Sequence, residues 1–512
     1  MASIMTQVDA SGDVYPLPSS KSKFPLSERT VRAGLLTTGG RLFTKCLDFI
    51  TLLILARFLG PEEFGLVAMA MTAVLIVETL SEMPLAAALL NHQQPTESMY
   101  DTALSIAALR ALTIIALLCV MAWPLSLLYQ EPRLIALQSA LSLAPAMRGL
   151  LSQKLTEYTR VMDFRRDVVL DIIAKAGALL IAAILAIATG SYWAIAIGKI
   201  SSTALAMVAS YFLAPQRFRF TLRDWHIFSD MLGWNAARQL LSAVNWQADK
   251  VVLPRYVDIG TFGQFTWADN LIAVPAQAII QPITPPLFSA FVGARQAGNL
   301  GKAYLKASAG VYSIMAPLFL AMGLLSEPII HLILGPAWRE TAPILTWLAF
   351  AATVGYAPTV LLPALAMSLN RTRIAFVKLA IEFCVKVPLI VGLTMAMTLQ
   401  GLLIGHAIAA VIGFLVNLFL VGKLIQLRIV TQLSSLLRPT VSMLPMALIL
   451  FAVQPLFTPD DSALQTFLNL AWVSALAAAI FTATTLILWK LAGAPDSCES
   501  LLLRMTRKIV TG

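Results

Sequence analysis

The sequence predicts an all-α polytopic membrane protein with fourteen transmembrane helices, arranged as two six-helix lobes in a parallel pseudo-two-fold repeat plus two extra C-terminal helices. Hydrophobic residues make up 58% of the 512 positions and charged residues only 12%, whereas a soluble domain carries about 25% charged residues. Two further observations support the prediction. The apolar residues fall in runs long enough to cross a bilayer, and one helical hairpin recurs later in the chain.

The apolar runs are the candidate transmembrane helices, because each is long enough to cross about 30 Å of hydrocarbon. They fall at residues 34–57, 64–90, 102–128, 134–152, 167–189, 192–214, 235–257, 262–290, 304–325, 341–368, 374–398, 401–422, 439–457 and 465–489. The first, fourth and seventh runs carry charges inside the apolar stretch.

A repeated hairpin predicts that the chain has two related halves. Residues 52–92 align with residues 250–290 without a gap, at an offset of 198 positions. Matching residues include the pairs Arg57 and Arg255, Gly65 and Gly263, and Pro84 and Pro282. Internal repeats of this kind are typical of secondary transporters. We interpret the two stretches as the first hairpin of each half.

We expect these six matched residues to be repeat or gate elements. A proline removes a backbone hydrogen bond and bends a helix, so Pro84 and Pro282 predict matched bends near the cytosolic ends of their helices. The bends are either gates or static features. Arg57 and Arg255 stand at the outer ends of their helices, where an arginine either extends to lipid phosphates or makes a structural turn contact.

The connections between the runs predict the orientation in the membrane. With the N-terminus inside, the inside connections hold most of the cations, such as those of the linker near Arg217, whereas the outside connections hold only Arg133 and Arg339. An excess of Lys and Arg on the cytoplasmic side is the positive-inside pattern. Both termini are therefore expected in the cytoplasm, and the net charge of +10 requires no nucleic-acid partner.

The same reasoning predicts the domain boundaries. Six helices precede the basic linker and six follow it, so both halves start from the same side and are related by an axis along the membrane normal. The expected parts are a disordered cytosolic tail, an N-lobe of helices 1–6, a basic cytosolic linker, a C-lobe of helices 7–12, and helices 13–14 with a cytosolic C-terminus. They cover residues 1–33, 34–214, 215–234, 235–425 and 426–512, respectively.

Cations inside the predicted spans are candidate substrate-binding residues, because a charged side chain at the centre of a span costs about 2.5–3.5 kcal/mol. Arg41 and Lys45 are four residues apart and therefore share a helix face. Arg238 and Lys250 lie on the first helix of the other half. We interpret these four side chains as the lining of a water-filled cavity between the lobes that accepts an anion.

Carboxylates inside the spans either bind a coupling proton or sodium ion, or balance the cations. They are Asp48, Glu78, Glu82, Asp249 and Asp269. Other charges lie four residues apart on one helix and are expected to pair with each other. They are Asp171 with Lys175, and Glu382 with Lys378 and Lys386. His406 stands alone on an apolar helix, and we expect a structural role for it.

No motif indicates hydrolysis or glycosyl transfer. The sequence lacks a phosphate-binding glycine loop, a nucleophile elbow and a metal-ligand cluster. Its four cysteines have no metal or redox spacing, and the loops are too short to fold a catalytic domain. We therefore expect a protein that is not an enzyme and has no cofactor, coupled instead to H⁺, to Na⁺ or to the membrane potential.

Three stretches resemble a known family. They are LARFLGPEEFGLVAMA at 55–70, MDFRRDVVLDIIAKAGALLIAAILAIATGSYWAIAIGKI at 162–200, and LGPAWRETAPILTWLA at 334–349. Together they resemble polysaccharide exporters of the flippase type, the colanic-acid-exporter-like branch of the multidrug/oligosaccharidyl-lipid/polysaccharide superfamily. The resemblance covers about residues 34–425.

The resemblance implies transport of an undecaprenyl-pyrophosphate-linked oligosaccharide across the bacterial inner membrane by alternating access, for exopolysaccharide or lipopolysaccharide synthesis. In the flippases that the chain resembles, the cations that line the cavity lie on helices 1, 2, 7 and 8. The resemblance therefore implies that the four cations named above, on helices 1 and 7, line the cavity. Helix 2 departs from the family because it offers Glu78 and Glu82. The expected partners are the bilayer, the lipid-linked oligosaccharide, a polysaccharide polymerase and a chain-length regulator.

Two other functions stay open at this point. A multidrug/cation antiporter of the same superfamily would have twelve helices and an acidic cavity, so the fourteen apolar runs and the inward cations argue against it. A membrane polymerase or ligase acting on lipid-linked sugars would require a large outer loop with acid/base residues, whereas the outer connections here are short.

Overall fold

The computed structural model describes a chain that is α-helical in all its apolar stretches. It describes residues 6–8, 14–16, 26–92, 94–161, 163–229, 233–457, 462–494 and 500, without the side chains of residues 26–38, 41, 229, 233–238, 240, 281 and 356–358. Strands β1 (Thr6–Val8) and β2 (Val14–Pro16) form a short antiparallel hairpin. A disordered tail was predicted for residues 1–33. Apart from the two strands, its residues before Leu26 lie outside the described part of the chain, and the first helix begins at Leu26.

The described residues of the first half form nine helices. They are α1 (Leu26–Phe58), α2 (Pro61–Leu80), α3 (Leu85–Asn91), α4 (Glu97–Tyr129), α5 (Arg133–Leu141), α6 (Leu143–Gly149), α7 (Leu155–Arg160), α8 (Arg165–Thr189) and α9 (Trp193–Leu213). Several helix ends follow from local chemistry. Helix α2 begins with a proline, whose missing N–H is no loss at the first helical position. Helix α8 ends at Gly190 with φ of 56°, a conformation that glycine adopts without steric cost.

The linker packs against the first half. It contains helix α10 (Trp225–Ser229). The Gln216 side chain donates to Tyr100 O at 3.1 Å, and the Thr221 N–H donates to Ser105 Oγ at 3.0 Å. Both acceptors lie on α4, so the segment that joins the halves is held along one helix of the first half.

The second half and the C-terminal region form the remaining helices. The second half holds α11 (Gly233–Val252), α12 (Ile259–Gln296), α13 (Leu300–Leu324), α14 (Ser326–Ile333), α15 (Thr341–Thr359), α16 (Leu362–Ser368) and α17 (Thr372–Ile425). Helices α18 (Ile429–Ala452) and α19 (Ala463–Leu491) follow. Three short 3-10 helices cover Leu253–Arg255, Pro336–Trp338 and Gln454–Leu456.

Helix α17 folds back on itself. Met397 and Thr398 have non-helical backbone angles, and Thr398 has φ of 52°. A Cβ placed on Gly401 would lie 1.9 Å from Leu393 O, so the two arms of the turn are in direct backbone contact. The 54 residues of α17 therefore comprise two antiparallel arms.

Within the described ranges, eight helices are long and apolar enough to cross a membrane, and there are nine if the bent α12 counts as one span. One apolar core joins both halves and the C-terminal helices, with Leu66 and Ile114 from the first half, Phe262 from the second, and Leu450 and Phe481 from α18 and α19. The expectation of an all-α multi-pass membrane protein is confirmed.

Candidate functional site

The two halves meet most closely where α2 crosses α12. A Cβ placed on Gly65 would lie 1.9 Å from Ile259 O, and one placed on Gly263 would lie 2.0 Å from Pro61 O. Pro61 corresponds to Ile259, and Gly65 to Gly263, at the offset of 198 positions. The contact is therefore reciprocal, and only glycine allows the two backbones to approach this closely.

Three aromatic rings close the same crossing. Phe64 of the first half lies 5.5 Å from Trp267 and 5.3 Å from Trp338 between ring centroids, and the two tryptophans are 5.7 Å apart. Both tryptophans are buried, and the Trp338 indole N–H donates to Ala56 O on α1 at 3.1 Å. Aromatic pairs in tilted and edge-on arrangements contribute beyond their buried area. We call the glycine crossing and these rings the seal, and the end of the molecule that holds them the sealed end.

Further contacts between the halves lie at the sealed end. The Arg57 guanidinium donates to Leu332 O at 3.3 Å, and Tyr129 donates to Val251 O at 2.9 Å. Gly335, with φ of 90°, brings the LGPAW turn so close that a Cβ on it would lie 2.9 Å from Arg57 Nη1. Arg57 thus makes a contact with the other half. Its repeat partner Arg255 is exposed at the end of a 3-10 helix.

The prolines of the repeat stand where their helices break. Pro84 follows the end of α2 at Leu80 and caps α3. Pro282 lies where α12 bends by 42° between Ile259–Ile280 and Pro282–Gln296. In both helices the break lies C-terminal to the glycine of the seal.

Several charged side chains that the structure describes in the second half pair with one another. Asp249 of α11 is buried, and its carboxylate lies 3.0 Å from His406 Nε2 and 3.7 Å from Lys386 Nζ, both on α17. Lys250 pairs with Asp269 of α12 at 2.7 Å. One further pair, Lys378 with Glu382, lies within α17 at 2.9 Å.

These groups surround a cavity inside the second half. Its volume is about 290 Å³, and its lining includes Asn245, Asp269, Glu382, Lys386 and His406. The cavity lies among α11, α12, α15 and α17. Within the described part of the chain, no three His, Cys, Asp or Glu side chains are placed to hold a metal ion.

The charges of the first half are only partly paired. Lys175 of α8, which we expected to pair with Asp171 on its own helix, donates to Asp48 of α1 at 2.6 Å. Glu78 of α2 accepts from Arg148 of α6 at 3.2 Å. Glu82 is exposed in the break after α2.

The four predicted substrate-binding cations have different environments. Lys45 is exposed on α1 and has no ion pair with a described residue. Lys250 is neutralised by Asp269. The side chains of Arg41 and Arg238 lie outside the description, although their positions on α1 and α11 are within it.

Several residues of these networks were not identified from the sequence. Arg110 on α4 donates to Glu78 O at 3.5 Å. Arg148, Lys199 and Trp338 were not identified either, and His406 was expected to be only structural.

The sequence did contain a signal for the three cations Arg110, Arg148 and Lys199. Each is a single charge in an apolar run, and placing a charge inside a membrane span is energetically costly.

Residues 54–343 match the family described as polysaccharide biosynthesis protein, which is more than half of the chain. The chain belongs to this family. The match confirms the family assignment that the sequence resemblance to polysaccharide exporters predicted.

Two curated relatives of this polysaccharide biosynthesis protein are transport or biosynthesis proteins. The succinoglycan biosynthesis transport protein ExoT of Rhizobium meliloti (strain 1021) is 26% identical over 313 residues, which cover 60% of this chain and 62% of ExoT. The match thus spans less than two thirds of ExoT. The lipopolysaccharide biosynthesis protein WzxC of Escherichia coli (strain K12) is 21% identical over 415 residues, covering 78% of this chain and 82% of WzxC.

Two solved structures share the fold. The lipid II flippase MurJ in an inward closed conformation has a TM-score of 0.69 at 15% identity, covering 89% of this chain and 99% of MurJ. An inward-facing multidrug resistance transporter of the MATE family has a TM-score of 0.56 at 14% identity, covering 74% of this chain and 95% of that transporter. At these identities the likeness concerns the fold alone.

Proposed function

We propose that this protein flips or exports a lipid-linked (undecaprenyl-pyrophosphate) oligosaccharide across the bacterial inner membrane, for exopolysaccharide or lipopolysaccharide synthesis. It works by alternating access through a cationic central cavity. The relatives ExoT and WzxC are described as succinoglycan transport and lipopolysaccharide biosynthesis proteins, and the fold is shared with a lipid II flippase. A polysaccharide polymerase and a chain-length regulator are the proposed protein partners.

The seal is the observation that carries the proposal. Reciprocal backbone contacts at the equivalent glycines Gly65 and Gly263 close one end of the molecule, and these contacts and the Phe64 ring pairs connect the two halves. Alternating access needs two rigid bodies that separate at one end while they close at the other. A glycine crossing with an aromatic plug suits a contact that is made and broken as a unit.

We propose fourteen spans in two six-helix lobes, with the domain boundaries predicted from the sequence. The number of candidate spans increases from eight to ten when the two arms of α17 are counted separately and the bent α12 is counted as one span. Helices α1, α11 and α15 and the α5–α6 pair supply four more. An even count puts both termini on one side of the membrane, and we propose that this side is the cytoplasm and that the sealed end faces the periplasm. A reporter fused after Arg217 is expected to report the cytoplasm, and one fused after Glu131 the periplasm.

The proposed cavity lies between the lobes and is lined by Arg41, Lys45, Arg238 and Lys250. Its cations suit a substrate whose head is an anionic pyrophosphate with a polar glycan, while the lipid tail stays in the bilayer. An inside-negative potential assists outward movement of an anion by about 2.3 kcal/mol per charge per 100 mV.

Coupling to H⁺ or Na⁺ is proposed through the membrane carboxylates, with no other cofactor. Asp249 is the strongest candidate, because it is buried and its Oδ1 accepts no hydrogen bond from a described residue. The others are Asp48, Glu78, Glu82 and Asp269. Asp48, Glu78 and Asp269 already hold a Lys or Arg within 3.2 Å, so balance of those cations is the alternative role.

The direct test is reconstitution of the purified protein in liposomes that carry a fluorescent undecaprenyl-pyrophosphate oligosaccharide in the inner leaflet. If the protein moves the lipid to the outer leaflet, the fraction of fluorescence that an external quencher removes increases with time. In liposomes without protein this fraction stays constant. The Arg41→Gln, Lys45→Gln double variant is expected to be inactive at normal membrane levels.

The same liposomes separate the other two functions. Extrusion of a cationic dye without movement of the lipid would identify a multidrug/cation antiporter, whose fold is related at a TM-score of 0.56. Lengthening or transfer of the oligosaccharide would identify a polymerase or ligase. Either result in place of lipid movement would overturn the proposal.

A further inference from the structure

Lys199 is a cation inside the first half that has no ion pair with any described residue. It lies on α9, which begins at Trp193. Three other lysines at membrane depth, Lys175, Lys250 and Lys386, each lie within 3.7 Å of a carboxylate. Because an uncompensated charge in a membrane helix is costly, a lysine without a partner needs another reason to be there.

Charges from four other helices surround Lys199. It interacts electrostatically with Asp48 of α1, Glu78 of α2, Arg148 of α6 and Lys175 of α8. The two carboxylates are already occupied, one by Lys175 and the other by Arg148. The local charge is therefore positive: three cations face two carboxylates.

The surroundings of Lys199 indicate an interior space rather than the lipid face. Its side chain is exposed, although charges from four other helices contribute to its environment. One turn earlier, Ala196 belongs to the core that contains Leu66 and Ile114, and residues three apart on a helix share a face. We interpret this exposed amine, on an inward face among charged neighbours, as the lining of a polar hollow in the first half.

The cations of this hollow differ in depth. Residue 199 is six residues from the start of α9 at the sealed end, or about 9 Å along the axis. Lys175 is fourteen residues from the end of α8 at Thr189, or about 21 Å along the axis. The α8–α9 turn lies at the sealed end, because Ala182, Ala186 and Ala194 pack against α1 near Leu59. Lys199 is thus closer to the seal than Lys175 is.

We propose that Lys199 binds the phosphate group of the transported lipid, with Arg148 as a second cation nearer the unsealed end. The inference rests on the proposed function and adds an anion-binding residue in the first half to the four cations predicted from the sequence. An anion that enters from the unsealed end passes Lys175 before it reaches the unpaired amine of Lys199. The seal stops it there until the halves rearrange.

The test compares Lys199→Gln with the charge-preserving Lys199→Arg. Purified protein in detergent is titrated with undecaprenyl pyrophosphate and, separately, with inorganic pyrophosphate, and lipid movement is measured in liposomes. Loss of a charge-assisted hydrogen bond is expected to weaken binding of the lipid by about 10-fold or more. Lys199→Arg is expected to retain most of the binding. Lys302→Gln, an exposed lysine in the first turn of α13, serves as the matched control.

Each outcome decides between the proposals. Wild-type binding by Lys199→Gln, in protein that moves the lipid, would overturn this inference and leave the proposed function intact. Wild-type protein that binds pyrophosphate but moves no lipid would overturn the proposed function alone. If vesicles of anionic phospholipid stabilise wild-type protein but not Lys199→Gln, with equal undecaprenyl pyrophosphate binding, the lysine contacts bilayer headgroups and the inference is wrong. If Lys199→Gln lowers the melting temperature, the binding of the lipid by Lys199→Arg is compared with wild type instead. Retained binding supports the inference, and lost binding contradicts it.

Discussion

The two halves share a repeated hairpin but differ in how their membrane charges are compensated. In the second half, Lys250 and Asp249 on α11 both have partners of opposite charge on neighbouring helices. In the first half, Lys45 and Lys199 have no ion pair with a described residue. Since the framework is the same, the side chains alone create the difference. The comparison teaches that one framework can carry paired charges in one half and unpaired lysines in the other, among the side chains that the structure describes.

At the seal, by contrast, the halves are equivalent. Gly65 and Gly263 each lie against a backbone oxygen of the other half at about the same distance. We therefore expect variants at the seal to act alike in both halves, and variants of the charges to act differently.

The largest effect is expected from Gly65→Ala and Gly263→Ala. Each added methyl group would lie within 2.0 Å of a carbonyl oxygen, so the halves must separate at the sealed end. We expect each variant to lose more than 90% of lipid movement, estimated from the several kcal/mol that a backbone clash costs. Lipid movement in liposomes is the measurement.

Gly293→Ala is the matched control, because it lies on the same helix as Gly263 and a Cβ there meets nothing within 4 Å. Activity near wild type in Gly65→Ala, or loss in only one of the two seal variants, would break the equivalence of the halves at this end.

The next effect separates the halves by charge. Asp249→Asn leaves Lys386 without its buried carboxylate, whose side chain is only 4% exposed. Removing one partner of a buried pair costs about 3–5 kcal/mol. Asp48→Asn removes a partner that is 41% exposed, and exposed pairs contribute about 0–1 kcal/mol. The thermal midpoint in detergent is expected to fall clearly in Asp249→Asn and little in Asp48→Asn. Equal falls would contradict the contrast between the halves.

A smaller effect is expected at the aromatic part of the seal. Trp338→Phe keeps most of the apolar packing but removes the N–H that donates to Ala56 O, which costs about 1–3 kcal/mol when the acceptor stays buried. The sealed state should become less populated. A cysteine introduced at Ala268, buried in the wild type, should then react faster with a small thiol reagent. An unchanged rate would mean that this hydrogen bond does not hold the seal.

The smallest effect concerns a difference in helix capping. Asp258 caps α12 by accepting from the Thr261 N–H at 2.8 Å and from its hydroxyl at 2.7 Å. The equivalent residue before α2 is Gly60, which has no side-chain cap. Loss of an N-cap costs about 0.5–2 kcal/mol. Asp258→Ala should therefore lower the thermal midpoint slightly and leave lipid movement unchanged, whereas Thr261→Val removes only the hydroxyl bond and keeps the capping N–H. A large loss of transport would assign Asp258 a further role.

The fold was predictable because a bilayer permits few solutions. Long apolar runs, their flanking cations and the repeat at residues 52–92 and 250–290 define a multi-pass helical protein with related halves. The breaks were predictable in part. Pro84 and Pro282 indicated bends, and the apolar runs at 374–398 and 401–422 predicted the break that lies at Met397 and Thr398 of α17. The direct backbone contact of the two arms at Gly401 was not evident from the sequence.

The site was less predictable because the sequence does not specify which helices face each other. Lys175 and Asp171 satisfy a spacing rule within one helix, yet Lys175 reaches Asp48 across to α1. His406 looked isolated until α11 brought Asp249 to it. Glycines at positions 65 and 263 were identifiable as a pair from the repeat, whereas their contact depends on the crossing of α2 and α12.

The central claim is that the halves separate at the sealed end during transport, and a reversible cross-link tests it most directly. A Cβ on Gly260 would lie 4.0 Å from Pro61 Cβ, a separation suited to a disulfide. In a cysteine-free background, the Pro61→Cys, Gly260→Cys variant should form a disulfide between the halves on oxidation, with both single variants as controls. The account predicts that oxidation stops lipid movement and that reduction restores it. Undiminished movement in fully cross-linked protein would contradict the account.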